Sequence, residues 1–125
     1  MAARTVQRRR VLIVDDNRDS VETMATLIRL SGHEIEKAHD GETALEKAKS
    51  FKPEIILLDV GLPDMHGYEV AERLRAIPEN KSLVIVALTG YGNEEDRRRA
   101  RDAGFDYHFV KPVDFTALES LINKG

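Results

Sequence analysis

Three carboxylates, one hydroxyl and one amine each follow a short apolar run in this sequence of 125 residues. They belong to Asp15, Asp16, Asp59, Thr89 and Lys111. Three carboxylates that lie close together repel one another, and a divalent cation relieves that repulsion directly. The chain contains no cysteine, so the ligands on offer are oxygens. Oxygen ligands favour Mg²⁺, with Mn²⁺ as the alternative ion.

A carboxylate can also attack phosphorus as a nucleophile and form an acyl phosphate, provided that positive charge neutralises the phosphoryl oxygens. Asp59 is the candidate nucleophile, because it stands alone after the apolar run 55–58. Lys111 would supply positive charge, and the Thr89 hydroxyl would donate a hydrogen bond to a phosphoryl oxygen. The alternative interpretation is that these polar residues only cap helices and form turns.

Strand and helix patterns alternate along the chain, which predicts βαβ units and a parallel sheet. Five strand and helix repeats fit, and right-handed crossovers then place helices on both faces of a five-stranded parallel sheet. The second strand, within 33–38, alternates with polar residues and is expected at an edge of the sheet. Ligands bind beyond the carboxyl ends of the strands in such sheets, so the five polar residues are predicted to meet there.

Cap residues predict where the helices begin and end. The expected first caps are Asn17, Asp40, Asn93 and Asp114, and Gly104 is expected to end the fourth helix. That helix carries a run of arginines surrounded by acids, which we interpret as a salt-bridged face. The arginines are Arg97, Arg98, Arg99 and Arg101, and the acids are Glu94, Glu95, Asp96 and Asp102.

Composition narrows the possible functions. The chain has 19 basic and 22 acidic side chains, a net charge of −3, and four of the basic residues lie in the first ten positions. Residues 1–9 are predicted to be a basic leader or linker, and residues 10–125 one domain. The acidic remainder argues against nucleic acid binding by this domain. No stretch reaches the roughly 20 apolar residues of a membrane span, so the expected location is the cytoplasm.

The order and placement of these motifs resemble a response-regulator receiver domain. The matching residues are Asp15-Asp16, Asp59 with Pro63 and Gly67 beyond it, Thr89-Gly90 and Lys111-Pro112. The resemblance implies a doubly wound, flavodoxin-like α/β fold with strand order 2-1-3-4-5. It covers roughly Arg10 to Ile122, and it is greatest with receivers of hybrid sensor kinases or stand-alone receivers.

The resemblance also implies a role for each residue of the phosphoryl site. Asp59 accepts a phosphoryl group from a phosphohistidine of a histidine kinase or phosphotransfer protein. Lys111 pairs with the phosphoryl oxygens, and Thr89 reports phosphorylation by shifting the β4-α4 and α4-β5-α5 region. Pro112 follows a cis peptide bond. The domain is then a signalling receiver in a phosphorelay that catalyses only its own phosphorylation and dephosphorylation, with kinase domains as possible neighbours in a longer chain.

The same resemblance implies a metal site with distinct ligands. Asp16 binds Mg²⁺ directly together with Asp59, Asp15 holds metal-bound water, and the backbone carbonyl of Gly61 completes the site. Three histidines, His33, His39 and His66, fall on different connections. A histidine metal site is therefore not expected.

Two positions depart from the family pattern. His108 stands three residues before the lysine, where the family often has Tyr or Phe, and we expect an exposed side chain, with a pH-sensitive switch as the alternative. Gly61 and Tyr91 occupy positions where the family tunes the lifetime of the phosphoryl bond. Tyr91 would limit access of water there, unless it is an exposed loop residue.

Three other functions compete with a signalling receiver. An aspartyl phosphatase would use the same nucleophile, but it would need a second acid after Asp59, where Val60 and Gly61 stand. A degenerate receiver would bind partners without phosphorylation, and a nucleotide-binding domain would need a glycine-rich loop after the first strand.

Overall fold

The computed structural model describes residues 8–90 and 92–124. Strands and helices alternate along them in the predicted order. The elements are β1 (Arg10–Val14), α1 (Arg18–Leu30), β2 (Glu34–Ala38), α2 (Gly41–Phe51), β3 (Ile55–Asp59), α3 (Gly67–Arg75), a 3-10 turn (Pro78–Asn80), β4 (Val84–Thr89), α4 (Glu94–Ala103), β5 (Tyr107–Val110) and α5 (Phe115–Lys124). The Tyr91 prediction and most of the predicted leader lie outside the described residues.

The five strands form one parallel sheet in the order β2-β1-β3-β4-β5. This confirms the predicted fold, including the position of the polar strand β2 at an edge. Successive side chains of a strand point to opposite faces of the sheet, so each apolar run contributes side chains to two cores, one on each face. Leu12, Ile56 and Ile85 belong to one core, whereas Ile13 and Val86 belong to the other.

The predicted helix caps are present. The side chains of Asn17, Asp40, Asn93 and Asp114 each accept a backbone N–H from the first turn of a helix, and Gly104 ends α4 with φ of 109°. Helix α3 has a cap that the sequence did not predict: the His66 ring accepts the Tyr68 N–H at 3.2 Å. Caps therefore set the starts of the helices at the edge where the strands end.

Arg75, at the end of α3, holds several backbone segments together. Its guanidinium donates to the carbonyl oxygens of Gly104 at 2.9 Å, Asn80 at 3.1 Å and Leu83 at 2.7 Å. It also pairs with the carboxylate of Asp106. The end of α4 is thereby held against α3 and the start of β4.

His33 joins the two ends of the described chain. Its Nδ1 accepts the backbone N–H of Arg9 at 3.1 Å, and its Nε2 lies 2.8 Å from Oδ1 of Asn123. Because Nδ1 is an acceptor, Nε2 carries the proton and donates to Asn123. Arg9, which the sequence assigned to the leader, is buried at this junction.

The interpretation of the α4 arginines as a salt-bridged face is wrong. Arg97, Arg98 and Arg101 form no salt bridge with any carboxylate of residues 8–90 or 92–124. Exposed pairs on a helix are worth only about 0.3–0.5 kcal/mol, too little to hold two long side chains together. The acids 94–96 instead occupy the first turn, where they favour the positive end of the helix dipole.

Candidate functional site

The predicted carboxylates meet at one edge of the sheet. Asp15, Asp16 and Asp59 each place a carboxylate oxygen within 4.8 Å of the others. Strands β1 and β3 are parallel neighbours, with Val14 opposite Leu58, so the residues that end them are brought side by side. Asp15 and Asp59 are buried, whereas Asp16 is exposed.

Lys111 lies against two of these carboxylates. Its Nζ donates to Oδ2 of Asp15 at 2.9 Å and lies 3.4 Å from Oδ1 of Asp59. The peptide bond between Lys111 and Pro112 is cis, as the resemblance implied. Burial lowers the pKa of Lys111, but the hydrogen bond to Asp15 and the charge of Asp59 outweigh burial and raise the pKa above its ordinary value. The side chain is therefore a cation at neutral pH.

Asp59 is electrostatically strained in its charged form. Burial raises the pKa of Asp59, and the charge of Asp15 raises it further. The Gly61 N–H, which donates to Oδ1 of Asp59 at 3.2 Å, and the charge of Lys111 act in the opposite direction. Three carboxylates carry more negative charge than one ammonium offsets, so this arrangement favours an added cation.

Thr89 ends β4 on the same edge and is buried. The preceding residue, Leu88, pairs with Asp59 in the sheet. The backbone carbonyl of Thr89 also accepts the N–H of Lys111 at 2.7 Å. The ends of β1, β3, β4 and β5 thus meet at one edge of the sheet. A backbone hydrogen bond joins Thr89 to Lys111.

Gly67 permits the backbone to fold closely around Asp59. A Cβ atom at Gly67 would lie 2.5 Å from Cα of Val60 and 3.0 Å from the carbonyl oxygen of Asp59. The Gly67 N–H also donates to the carbonyl of Val60 at 2.9 Å. No side chain larger than hydrogen fits without moving the loop that follows Asp59.

We expect Gly67→Ala to destabilise the fold. Alanine in a helix usually gains about 0.5–1 kcal/mol over glycine, but a clash with backbone atoms costs about 1–3 kcal/mol and outweighs that gain. The free energy of unfolding in urea measures the difference. Gly90→Ala is the matched control, because a Cβ there meets nothing within 4 Å, and it should change stability by less than about 0.5 kcal/mol. Equal stability of both variants would contradict the close approach at Gly67.

His108 is not the exposed side chain that we expected. It is half-buried beside Ala87 of β4, on the sheet face that α4 covers, and its Nδ1 is buried without a hydrogen-bond partner among the described residues. Burial lowers the pKa of His108, and the charge of Arg97 lowers it further, against an opposite effect of Asp96. The alanine leaves room for the ring, which the strand pattern alone did not indicate.

Two residues near the site had no predicted role there. The Nδ1 atom of His39 lies 3.0 Å from the backbone carbonyl of Asp15. Asp64 accepts the N–H groups of Gly41 at 2.7 Å and Glu42 at 3.1 Å, and these bonds lower the pKa of its carboxyl. Both contacts join residues distant in sequence, so no local signal marks them.

A model of the family described as "Response regulator receiver domain" matches residues 11–123. The chain belongs to the response-regulator receiver domain family. The receiver domain is 37% identical over 109 residues to a gliding motility regulatory protein of Myxococcus xanthus, covering 87% of this chain and 14% of that protein. It is 32% identical over 103 residues to the polar-differentiation response regulator DivK of Brucella anthropi, covering 82% of this chain and 84% of DivK.

Solved structures share the fold of the receiver domain. The structure of the chemotaxis response regulator CheY4 of Vibrio cholerae superimposes with a TM-score of 0.86 at 30% identity, covering 92% of this chain and 97% of that one. The receiver domain is a signalling module of two-component systems whose family function is to accept a phosphoryl group. This membership decides against the phosphatase and nucleotide-binding alternatives. Within the described residues, no helix has the length and apolar character to cross a membrane.

Proposed function

We propose that Asp59 accepts the phosphoryl group, and that the donor is a phosphohistidine of a histidine kinase or phosphotransfer protein. The observation that carries the proposal is the contact of Asp59 with Lys111. The Nζ atom of Lys111 lies 3.4 Å from the Asp59 carboxylate, at the carboxyl ends of the strands. A nucleophile with a cation beside it is what phosphoryl transfer requires. The domain would act either as a stand-alone protein or joined to kinase domains. The cytoplasm is the location that suits such a donor.

The transfer exchanges one bond of phosphorus for another. An oxygen of the Asp59 carboxylate forms a bond to phosphorus while the bond between phosphorus and the imidazole nitrogen of the donor breaks. The electron pair of the broken bond stays on the nitrogen. Lys111 stays protonated and pairs with a phosphoryl oxygen. The Thr89 hydroxyl donates to another oxygen, which draws the end of β4 toward Asp59.

The donor set fits Mg²⁺, because it consists of carboxylate oxygens whose charge exceeds that of the nearby ammonium. Asp16 and Asp59 would bind the ion, Asp15 would hold its water, and the carbonyl of Gly61 would complete the site. Bound Mg²⁺ would neutralise charge on the phosphoryl oxygens. The parallel pairing of β1 with β3 keeps the loops that carry these aspartates side by side.

The signal is proposed to leave through the segment between Thr89 and α4, and so through the surface of α4, β5 and α5. Only Ala100 and Ala103 of α4 are buried, so this helix packs loosely compared with helices that bury larger side chains. A weakly packed element can change position at small energetic cost.

The proposal is tested by incubating the protein with acetyl phosphate and Mg²⁺ and weighing the intact chain. We expect a mass gain of one phosphoryl group that is lost when EDTA is present from the start. Reduction with borohydride converts an acyl phosphate to a homoserine residue, and peptide mapping should place it at position 59. A label that maps to another residue, or no label from any small donor or kinase, would reject Asp59.

A further inference from the structure

The carbonyl oxygen of Asp15 lies where the hydrogen-bond ladder between β1 and β2 runs out. The Asp15 N–H still donates to the carbonyl of Ala38 at 3.1 Å. In a parallel ladder the next donor to the Asp15 carbonyl would be the N–H of Asp40, but Asp40 is already the N-cap of α2. Among the described residues, no backbone N–H donates to this oxygen. Its partner has to come from a side chain or from water.

The ring of His39 supplies that partner. Its Nδ1 lies 3.0 Å from the carbonyl oxygen of Asp15. Because a carbonyl oxygen only accepts hydrogen bonds, Nδ1 carries the proton and donates it. The side chain thus adds to the ladder the one hydrogen bond that the backbone of β2 no longer provides.

His39 is itself held in a defined place. The residue before it, Ala38, is buried and pairs with Val14 in the sheet. The residue after it, Asp40, accepts the N–H of Thr43 at 2.7 Å and so fixes the start of α2. The His39 side chain is half-buried between these two anchors. A side chain supported in this way presents its donor at a defined position.

The contact holds the peptide unit that joins two carboxylate residues of the site. A peptide unit is planar, so fixing its oxygen fixes the plane in which the Cα atoms of Asp15 and Asp16 lie. The Asp15 carboxylate is also held by the Asn17 N–H at 3.0 Å and by Lys111 at 2.9 Å. The Asp16 carboxylate is exposed and forms no salt bridge within residues 8–90 and 92–124. The placement of Asp16 therefore depends on its backbone, and so on His39.

We propose that His39 is a positioning residue for Mg²⁺, which acts by holding the Asp15 carbonyl and thereby the peptide that carries Asp15 and Asp16. The inference rests on the proposed metal site of Asp15, Asp16 and Asp59. His39 does not touch the ion in this role. Water could replace its hydrogen bond to the carbonyl, but water would not hold that oxygen at one place.

A role of His39 as a metal ligand fits less well. Its Nδ1 presents a proton to the carbonyl, and a protonated nitrogen has no lone pair for a cation. Among the described residues, the cluster that could hold an ion consists of the three aspartates and does not include His39. Mg²⁺ also prefers oxygen ligands to imidazole.

A role in packing alone is the other alternative, because His39 lines a groove between α1, β2 and α2. Two substitutions separate packing from hydrogen bonding. His39→Leu keeps apolar bulk but removes the donor. His39→Asn loses the ring, but its Nδ2 stands as many bonds from Cα as Nδ1 of histidine, so it keeps a donor within reach of the carbonyl.

Calorimetric titration with Mg²⁺ tests the proposal on wild type and both variants. We expect the Kd of His39→Leu for Mg²⁺ to rise about tenfold, the lower end of the effect of hydrogen-bond partners behind metal ligands. His39→Asn should stay within about threefold of wild type, because it keeps the donor. Circular dichroism checks that both variants are folded.

The rate of phosphoryl uptake from acetyl phosphate adds a measurement that a packing role would not change in the same way. Intact mass gives the initial rate at each Mg²⁺ concentration. We expect His39→Leu to need about tenfold more Mg²⁺ for half of the maximal rate, and to reach the maximal rate of wild type.

Several outcomes would overturn the proposal. Equal Mg²⁺ affinity in wild type and His39→Leu would do so, as would equal losses in His39→Leu and His39→Asn, which would assign the effect to the ring. A lower maximal rate in His39→Leu with an unchanged requirement for Mg²⁺ would assign His39 to the transfer step instead.

Calorimetry also separates this inference from the proposed acceptor, because it measures Mg²⁺ binding without phosphoryl transfer. If Asp59 takes up no label while wild type still binds Mg²⁺ more tightly than His39→Leu, the acceptor is rejected and the positioning role stands. If Asp59 is labelled and His39→Leu binds Mg²⁺ like wild type, only the role of His39 is rejected. Wild type that binds no Mg²⁺ would reject the metal site and the role of His39 together.

Discussion

Asp59→Asn is expected to take up no phosphoryl group under conditions that label the wild type. An amide nitrogen or oxygen is a far weaker nucleophile than a carboxylate, and the neutral side chain loses its ion pair with Lys111 at 3.4 Å. We expect the label, measured by intact mass, to fall by at least about 100-fold, in line with the loss of a group that forms the covalent bond. The variant replaces one carboxylate oxygen by an amide nitrogen of similar size, so the packing around Asp59 stays intact.

Two controls separate this loss from misfolding. Asp64→Asn changes a carboxyl in the neighbouring loop that accepts backbone N–H groups of α2, and it should be labelled like wild type. If Asp59→Asn is labelled as well, the acceptor is another residue.

Stability supplies the second control for Asp59→Asn. Burial raises the pKa of Asp59 in the folded state above its unfolded value. Its favourable contribution to folding is therefore complete below the unfolded pKa and is lost as pH rises through the raised folded pKa. At neutral pH without divalent ions, the wild type bears the cost of a buried charged carboxylate at Asp59, and Asp59→Asn removes that cost. The variant should therefore unfold at a temperature no lower than wild type. A lower melting temperature would contradict the burial argument.

Lys111→Gln is expected to slow phosphoryl uptake from acetyl phosphate by about 100-fold or more, the usual effect of removing one preorganised donor from developing negative charge. Glutamine is one bond shorter than lysine and keeps a hydrogen-bond donor, but it removes the cation that contacts Asp15 and Asp59. The initial rate of mass gain at saturating Mg²⁺ measures the effect. Lys81→Gln, an exposed lysine before β4, is the matched control and should react like wild type.

Calorimetry with Mg²⁺ distinguishes a role in transfer from a role in assembling the site. Removing the ammonium leaves the three carboxylates with less positive charge nearby, so Lys111→Gln should bind Mg²⁺ at least as tightly as wild type. Slow uptake together with retained Mg²⁺ binding supports charge stabilisation of the phosphoryl group. Slow uptake together with lost Mg²⁺ binding would instead show that Lys111 holds the loops in place.

Local patterns predicted the parts of the fold that depend on neighbours in sequence. Apolar runs ending in a polar residue identified β1, β3 and β4, and short polar side chains such as Asn17 and Asp40 marked the helix starts. The strand order came from the resemblance, because periodicity does not say which strands are neighbours. The juxtaposition of Asp15, Asp16 and Asp59 followed from the parallel sheet.

Contacts between distant segments escaped prediction. Arg75 reaches three backbone carbonyls and Asp106, yet its sequence context is that of any arginine near the end of a helix. His108 is half-buried because Ala87 and α4 are its neighbours in space. The α4 arginines were assigned salt bridges because acids surround them in the sequence, although such exposed pairs are too weak to hold two long side chains together.

The junction at His33 bears on how the domain can be combined with others. Residues 9 and 123 share one imidazole, so any polypeptide attached before the first and after the second would leave side by side. The strands have five residues from this end to Asp59, a separation of about 15 Å at about 3.3 Å per residue. Such tethers would emerge from the pole opposite the aspartates. The domain can thus be inserted into a longer polypeptide while the sheet edge that carries the aspartates stays accessible to a phosphoryl donor.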